Sequence, residues 1–125
     1  MNQAASVYVV DDEEPIRNAF EVLLRGRGIE VRTFSSAEAF LQSYADDWVG
    51  LLLVDVRMPN MDGSELCLEL ERRNSALRII LMTGHGNADS LKEAFGGNIR
   101  LLEKPFKAQE IVNSLLASGM FSQQT

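Results

Sequence analysis

Cysteine occurs once, at Cys67, in a chain of 125 residues. One thiol excludes a disulfide framework, a CxxC redox pair and a thiolate zinc cluster, and it fits a reducing compartment. Positive charge is in deficit: 12 Lys and Arg stand against 18 Asp and Glu, a net charge of −6. Such a chain is unsuited to gripping a polyphosphate backbone, so direct nucleic-acid binding is not expected; a cation or a basic partner surface is the better match. Long apolar runs are missing too. No stretch approaches the ~20 residues of a membrane span, and Met1 to Ser6 lacks the basic and apolar regions of a secretory signal. A cytoplasmic protein without membrane contact is the expectation. Neither GxxxxGK(S/T) nor GxGxxG occurs, which leaves nucleotide and flavin binding without support. With no low-complexity segment, linker or sequence repeat, the length is that of one domain over 1–125, with a core over about 6–118 and a tail or linker start at 119–125.

What is present alternates, and a hydrophobic content of 46% suffices for a sizeable core. Ser6 to Val10 (SVYVV) reads as a strand stopping at Asp11-Asp12-Glu13-Glu14. Pro15 suits a first helical turn, and Ile16, Phe20, Leu23 and Leu24 follow at helical spacing before Gly26 and Gly28. Ile29 to Phe34 is a second strand, and Ser35-Ser36-Ala37-Glu38 has capping-box spacing ahead of Ala37, Phe40, Leu41 and Tyr44. Leu51 to Val54 is a third strand, with Leu66, Cys67 and Leu70 striping the next helix. Arg78 to Thr83 is a fourth, halting at Gly84-His85-Gly86; Ala88, Leu91 and Phe95 mark a short helix that Gly96-Gly97 weakens. Ile99 to Leu102 is a fifth strand, Ile111, Val112, Leu115 and Leu116 stripe a fifth helix, and Gly119 to Thr125 looks frayed. Apolar strands alternating with helices imply an α/β fold, a parallel sheet covered on both faces.

In such sheets, ligands bind beyond the carboxyl ends of the strands. The polar residues gather there. Strand one ends in Asp11-Asp12, and LLLVDVRMPNMDG, residues 51–63, delivers Asp55 and then a loop with Pro59 and Asp62-Gly63. Strand four ends in Thr83 and strand five in Leu102-Glu103-Lys104-Pro105. Clustered carboxylates repel one another and need a cation among them. A hard divalent ion such as Mg²⁺ takes carboxylates, a backbone carbonyl and waters, and leaves room for a phosphate oxygen. With that ion and Lys104 neutralising charge, a carboxylate can attack a phosphoryl group.

The motifs VYVVDDEEPIR, LLLVDVRMPNMDG, LMTGHG and LLEKPF together resemble the receiver (REC) domain of bacterial two-component response regulators, the CheY-like superfamily, over roughly residues 6 to 118. DVRMPNMDG, TGHG and EKPF are most similar to the FixJ-type subgroup. The resemblance, and not the patterning, implies a flavodoxin-like five-stranded sheet in the order 2-1-3-4-5. It implies that Asp55 is the phosphoacceptor, charged by a sensor histidine kinase. Asp12 and Asp55 would hold Mg²⁺ directly, Asp11 through a water, and the backbone carbonyl of Arg57 would be a further ligand. Thr83 would hydrogen-bond the phosphoryl group, Lys104 would pair with it, and Lys104-Pro105 would be the family's cis peptide. Such a domain is a signalling switch that turns over no separate substrate. Its readout would use the fourth helix, fifth strand and fifth helix, with homodimerisation there and a C-terminal DNA-binding output domain, absent from this chain, controlling transcription. Leu101 departs from the pattern, since family members often carry Phe or Tyr at that position, where the ring rotates inward as the Thr moves.

Blander readings stand beside these. The acidic run would also stabilise the positive end of a helix, and Glu13 and Glu14 read as helix-start charges. Thr83 also reads as a strand terminator bonding its own backbone, and Asp62-Gly63 as a turn or helix start. His85 and Arg57 read as rim or loop residues, Cys67 and the methionines as packing. Two other functions compete. A haloacid-dehalogenase-like phosphatase wants a second Asp two residues past the nucleophile, where this chain has Arg57. A degenerate, phosphorylation-independent interaction module would be favoured by a missing acidic pair or Lys, and both are present.

Overall fold

The computed structural model describes residues 6–84, 99–103 and 107–117. Strands β1 (Ser6–Val10), β2 (Val31–Phe34), β3 (Gly50–Asp55), β4 (Arg78–Thr83) and β5 (Ile99–Glu103) form one sheet in the order β2-β1-β3-β4-β5. All four strand pairings are parallel, as expected. The helices are α1 (Glu14–Arg25), α2 (Ala37–Ser43), α3 (Gly63–Arg72) and a last helix, Ala108–Ala117. The stripe of Ala88, Leu91 and Phe95, His85, Lys104, Pro105 and the tail lie outside the described residues.

Two-residue periodicity sorts each strand between two cores. Val7, Val9, Leu51, Leu53, Ile80 and Met82 face Phe20 and Leu24 of α1 and Ile111, Val112 and Leu115 of the last helix. Tyr8, Val10, Leu52, Val54 and Leu81 face Phe40 of α2 and Leu66, Cys67 and Leu70 of α3. Apolar side chains on both faces are what a central parallel strand needs, and each fully buried Val or Leu contributes about 1.5–3 kcal/mol. The second core is aromatic at its β2 end: Tyr8 stacks on Trp48 with centroids 4.5 Å apart, and the Arg32 guanidinium lies 4.7 Å from the Trp48 ring.

Several boundaries differ from the sequence expectation, and β5 runs one residue further, to Glu103. Strand two begins at Val31 because Ile29 closes α1 instead: its N–H donates to Leu24 and that of Gly28 to Arg25, with Gly28 at φ 76°. That is a Schellman ending, whose apolar pair is Ile29 and Leu24. The capping box expected at Ser35 and Glu38 does not form. Ser36 caps α2 by accepting from the Ala39 N–H, and Tyr44 stands just past the helix end. β3 is longer than expected at both ends, and Gly50 there, at φ 136°, lies so close to Ser6 that a Cβ would fall 1.9 Å from its carbonyl oxygen.

Candidate functional site

The α1-facing rows of β1 and β3 are Val7, Val9 and Leu51, Leu53, and the last registered pair is Val10 with Val54. One step further stand Asp11 and Asp55, 0% and 6% exposed. Two carboxylates side by side and shielded from water repel unless a cation joins them. Asp11 is fixed at several points. Its N–H donates to the Phe34 carbonyl (3.1 Å), its Oδ1 accepts from the Glu13 N–H (2.9 Å), and its carbonyl accepts from the Arg17 guanidinium (2.7 Å). Asp55 Oδ1 accepts from the Arg57 N–H at 3.1 Å.

Exposed Asp12 and Glu13 complete the group: one carboxylate oxygen from each of Asp11, Asp12, Glu13 and Asp55 lies within 4.8 Å of the others. Hard oxygen donors at this spacing fit a Mg²⁺-like ion, whose octahedron has opposite ligands about 4.2 Å apart. Glu13 is the N-cap residue of α1 without a side-chain cap bond, so it is both a helix-start charge and a member of the cluster. Sequence periodicity offered no signal for that second role, because it arises only when β1 and β3 are paired.

The loop from Val56 to Asp62 is tied down along its length. Met58 is buried and Asn60 adopts φ 65°, a left-handed conformation that Asn tolerates. The Met61 N–H donates to Glu38 of α2 at 3.3 Å, which is where the carboxylate freed from the missing capping box goes. A capping box does form one helix later: Asp62 accepts from the Glu65 N–H (2.9 Å) and Glu65 from the Asp62 N–H (3.1 Å). Asp62-Gly63 is thus a helix start. A Cβ on Gly63 would fall 2.4 Å from the Asp55 carbonyl oxygen, so only glycine lets α3 begin against the strand end that carries Asp55. Val56, Arg57, Met58, Pro59 and Asp62 line an open depression of about 420 Å³ along this loop, with Arg57 exposed.

Thr83, fully buried, ends β4 one residue past Met82, the register partner of Asp55. Its hydroxyl donates to the neighbouring Gly84 carbonyl at 3.3 Å, as a strand terminator does. Leu101 is half-buried on the Tyr8 side of the sheet, opposite Leu81. The structure therefore brings Asp11, Asp12, Asp55 and Thr83 to one edge; Lys104 and Pro105 lie outside the described residues. Cys67 is buried on the α3 stripe, as read from the sequence, and burial pushes its thiol up to about 12.

A family model described as the response regulator receiver domain matches residues 7–116. Nodulation protein W of Bradyrhizobium diazoefficiens is 38% identical over 115 residues, covering 91% of this chain and 51% of that protein. The transcriptional regulatory protein FixJ of Rhizobium meliloti is 38% identical over 111 residues, covering 88% and 54%. The chain thus spans about half the length of these curated relatives. The crystal structure of FixJ-N superimposes with a TM-score of 0.77 at 33% identity, covering 99% of this chain and 100% of that one.

Proposed function

The chain belongs to the response regulator receiver domain family, and from that premise we propose that it is a phosphorylation switch charged on Asp55. The whole of 1–125 is taken as one receiver unit. Receiver domains act as switches, not as turnover enzymes. The observation that carries the reading is the meeting of Asp11, Asp12 and Asp55 at one strand edge next to Thr83.

A carboxylate oxygen of Asp55 attacks the phosphorus of a phosphohistidine on a sensor histidine kinase. An O–P bond forms, the N–P bond breaks, and the imidazole leaves with a proton from solvent. Asp12, Asp55 and the Arg57 backbone carbonyl would hold Mg²⁺, with Asp11 acting through a water, and the ion would supply charge neutralisation. The Arg57 N–H on Asp55 Oδ1 orients that carboxylate so that its other oxygen is the nucleophile. The Thr83 hydroxyl then gives up the Gly84 carbonyl for a phosphoryl oxygen, and Lys104 pairs with another. A swing from 1:99 to 99:1 needs about 5.5 kcal/mol, and two charge-assisted hydrogen bonds at about 1.5–3 kcal/mol each supply most of it. The readout is homodimerisation through the segment after β4, β5 and the last helix. In a longer protein it would act on a DNA-binding output domain and so on transcription, in the cytoplasm. Among the described residues no helix is long and apolar enough to cross a membrane.

Acetyl phosphate with Mg²⁺ should raise the intact mass by one phosphoryl group, and Asp55→Asn should block the change. A wild-type chain that binds Mg²⁺ yet stays unmodified would favour the phosphorylation-independent interaction module.

A further inference from the structure

Resting on the metal reading above, we propose that Arg17 is a positioning residue of the site: its guanidinium, bonded to the Asp11 carbonyl, sets the Asp11-Asp12 peptide so that Asp12 presents its carboxylate to the cation. Arg17 stands in the first turn of α1 and is half-buried, its side chain turned back along the strand end. The NH1 to carbonyl distance is 2.7 Å, short enough for a charge-assisted bond. Because a peptide unit is planar, the oxygen of Asp11 and the nitrogen and Cα of Asp12 lie in one plane. Pinning that oxygen therefore fixes where the Asp12 side chain starts. The Asp11 N–H bond to the Phe34 carbonyl holds the preceding peptide, and the Glu13 N–H bond to Asp11 Oδ1 holds the following one. Packing does not orient Asp12, which is exposed, so its direction comes from this backbone frame.

A guanidinium beside four carboxylates also has a plain electrostatic effect, and that effect has the opposite sign. As a mere counter-charge, Arg17 competes with the cation, and removing it would tighten Mg²⁺ binding. As a positioning residue, it lowers the ordering cost of binding, and removing it weakens Mg²⁺ binding. The direction of the change separates the two.

The test is a Mg²⁺ titration of the full chain followed by backbone amide NMR shifts, with no phosphodonor present. Arg17→Met should raise the Kd about tenfold, equivalent to about 1.4 kcal/mol, while Arg17→Lys, which keeps charge and donor, recovers most of the loss. A merely structural role would lower the metal-free melting temperature of Arg17→Met and leave the Kd in place. Equal or tighter binding by Arg17→Met overturns the proposal, as does Arg17→Lys binding as weakly as Arg17→Met. If Arg17→Met does not fold, the Arg17→Lys and Arg17→Gln proteins decide: Gln should bind more weakly than Lys, and equality overturns the proposal. Absence of saturable shifts around Asp11, Asp12 and Asp55 in the wild type would instead sink the metal reading on which it rests.

Discussion

Replacing Gly63 with alanine puts a methyl group where the structure has backbone. The added Cβ would lie 2.4 Å from the Asp55 carbonyl oxygen, 2.9 Å from its carbon and 3.0 Å from the Val56 Cα. No rotamer change relieves this, because none of the three atoms belongs to a side chain. Carbon and carbonyl oxygen come no closer than about 3.3 Å even in favourable contacts, so the start of α3 must retreat by about 1 Å. The retreat stretches the 3.0 Å bond from the Gly63 N–H to the Val56 carbonyl and lifts Leu66, Cys67 and Leu70 out of their packing. Overpacking costs about 1–3 kcal/mol, and the weakened hydrogen bond about 1 kcal/mol. Better helix propensity returns about 0.5–1 kcal/mol. The net loss is about 2 kcal/mol, which lowers a urea midpoint by about 1 M at the slope of a small domain. Trp48 is the only tryptophan and sits buried against Tyr8, so its fluorescence follows unfolding. Gly26 is the control. It has φ −62° and a Cβ there would meet only the carbonyls of Val22 at 3.3 Å and Leu23 at 3.5 Å, so Gly26→Ala should leave stability unchanged or raise it by up to about 1 kcal/mol. Equal midpoints for Gly63→Ala and wild type would refute the close-approach reasoning.

Two further outcomes probe the supports of the site. Glu38→Ala removes the acceptor of the Met61 N–H; amide exchange at Met61 should speed up and stability should drop by about 1 kcal/mol, whereas Glu38→Gln, which keeps a carbonyl oxygen, should stay near wild type. Cys67 is buried, and desolvation first, then the charges of Asp62 and Glu71, push its thiol up to about 12. Its folded state should therefore resist a thiol reagent at pH 8, where a free cysteine is partly thiolate, and labelling should rise with urea along the Trp48 transition; rapid labelling of the folded chain would contradict the burial.

Much of the fold was legible because its signals are local. The continuous apolar runs of β1, β3 and β4 and the helical spacing of Phe20 with Leu24 and of Leu66 with Leu70 survive in the structure as the two cores. Boundaries failed where a residue had two local uses. Ile29 reads as a strand residue by its type, yet it closes α1. Glu38 reads as half of a capping box by spacing, yet it reaches Met61, 23 residues on in the chain. The box that does form, Asp62 with Glu65, has the same spacing, so spacing alone does not tell the two apart. At the site, Asp11, Asp12, Asp55 and Thr83 were legible as abrupt polar ends of apolar strands. The parts played by Arg17, Glu13 and Gly63 were not, since each depends on a contact with a neighbouring element.

Which segments become strands and helices, which faces are apolar and which residues terminate each strand follow from periodicity and from the chemistry of single residues. That Asp11 stands beside Asp55, that Arg17 turns back to the Asp11 carbonyl and that α3 starts hard against the Asp55 carbonyl are consequences of packing between elements. Strand order and register come from burying two faces of one sheet at once, and no local pattern encodes which strand a given carboxylate will lie next to.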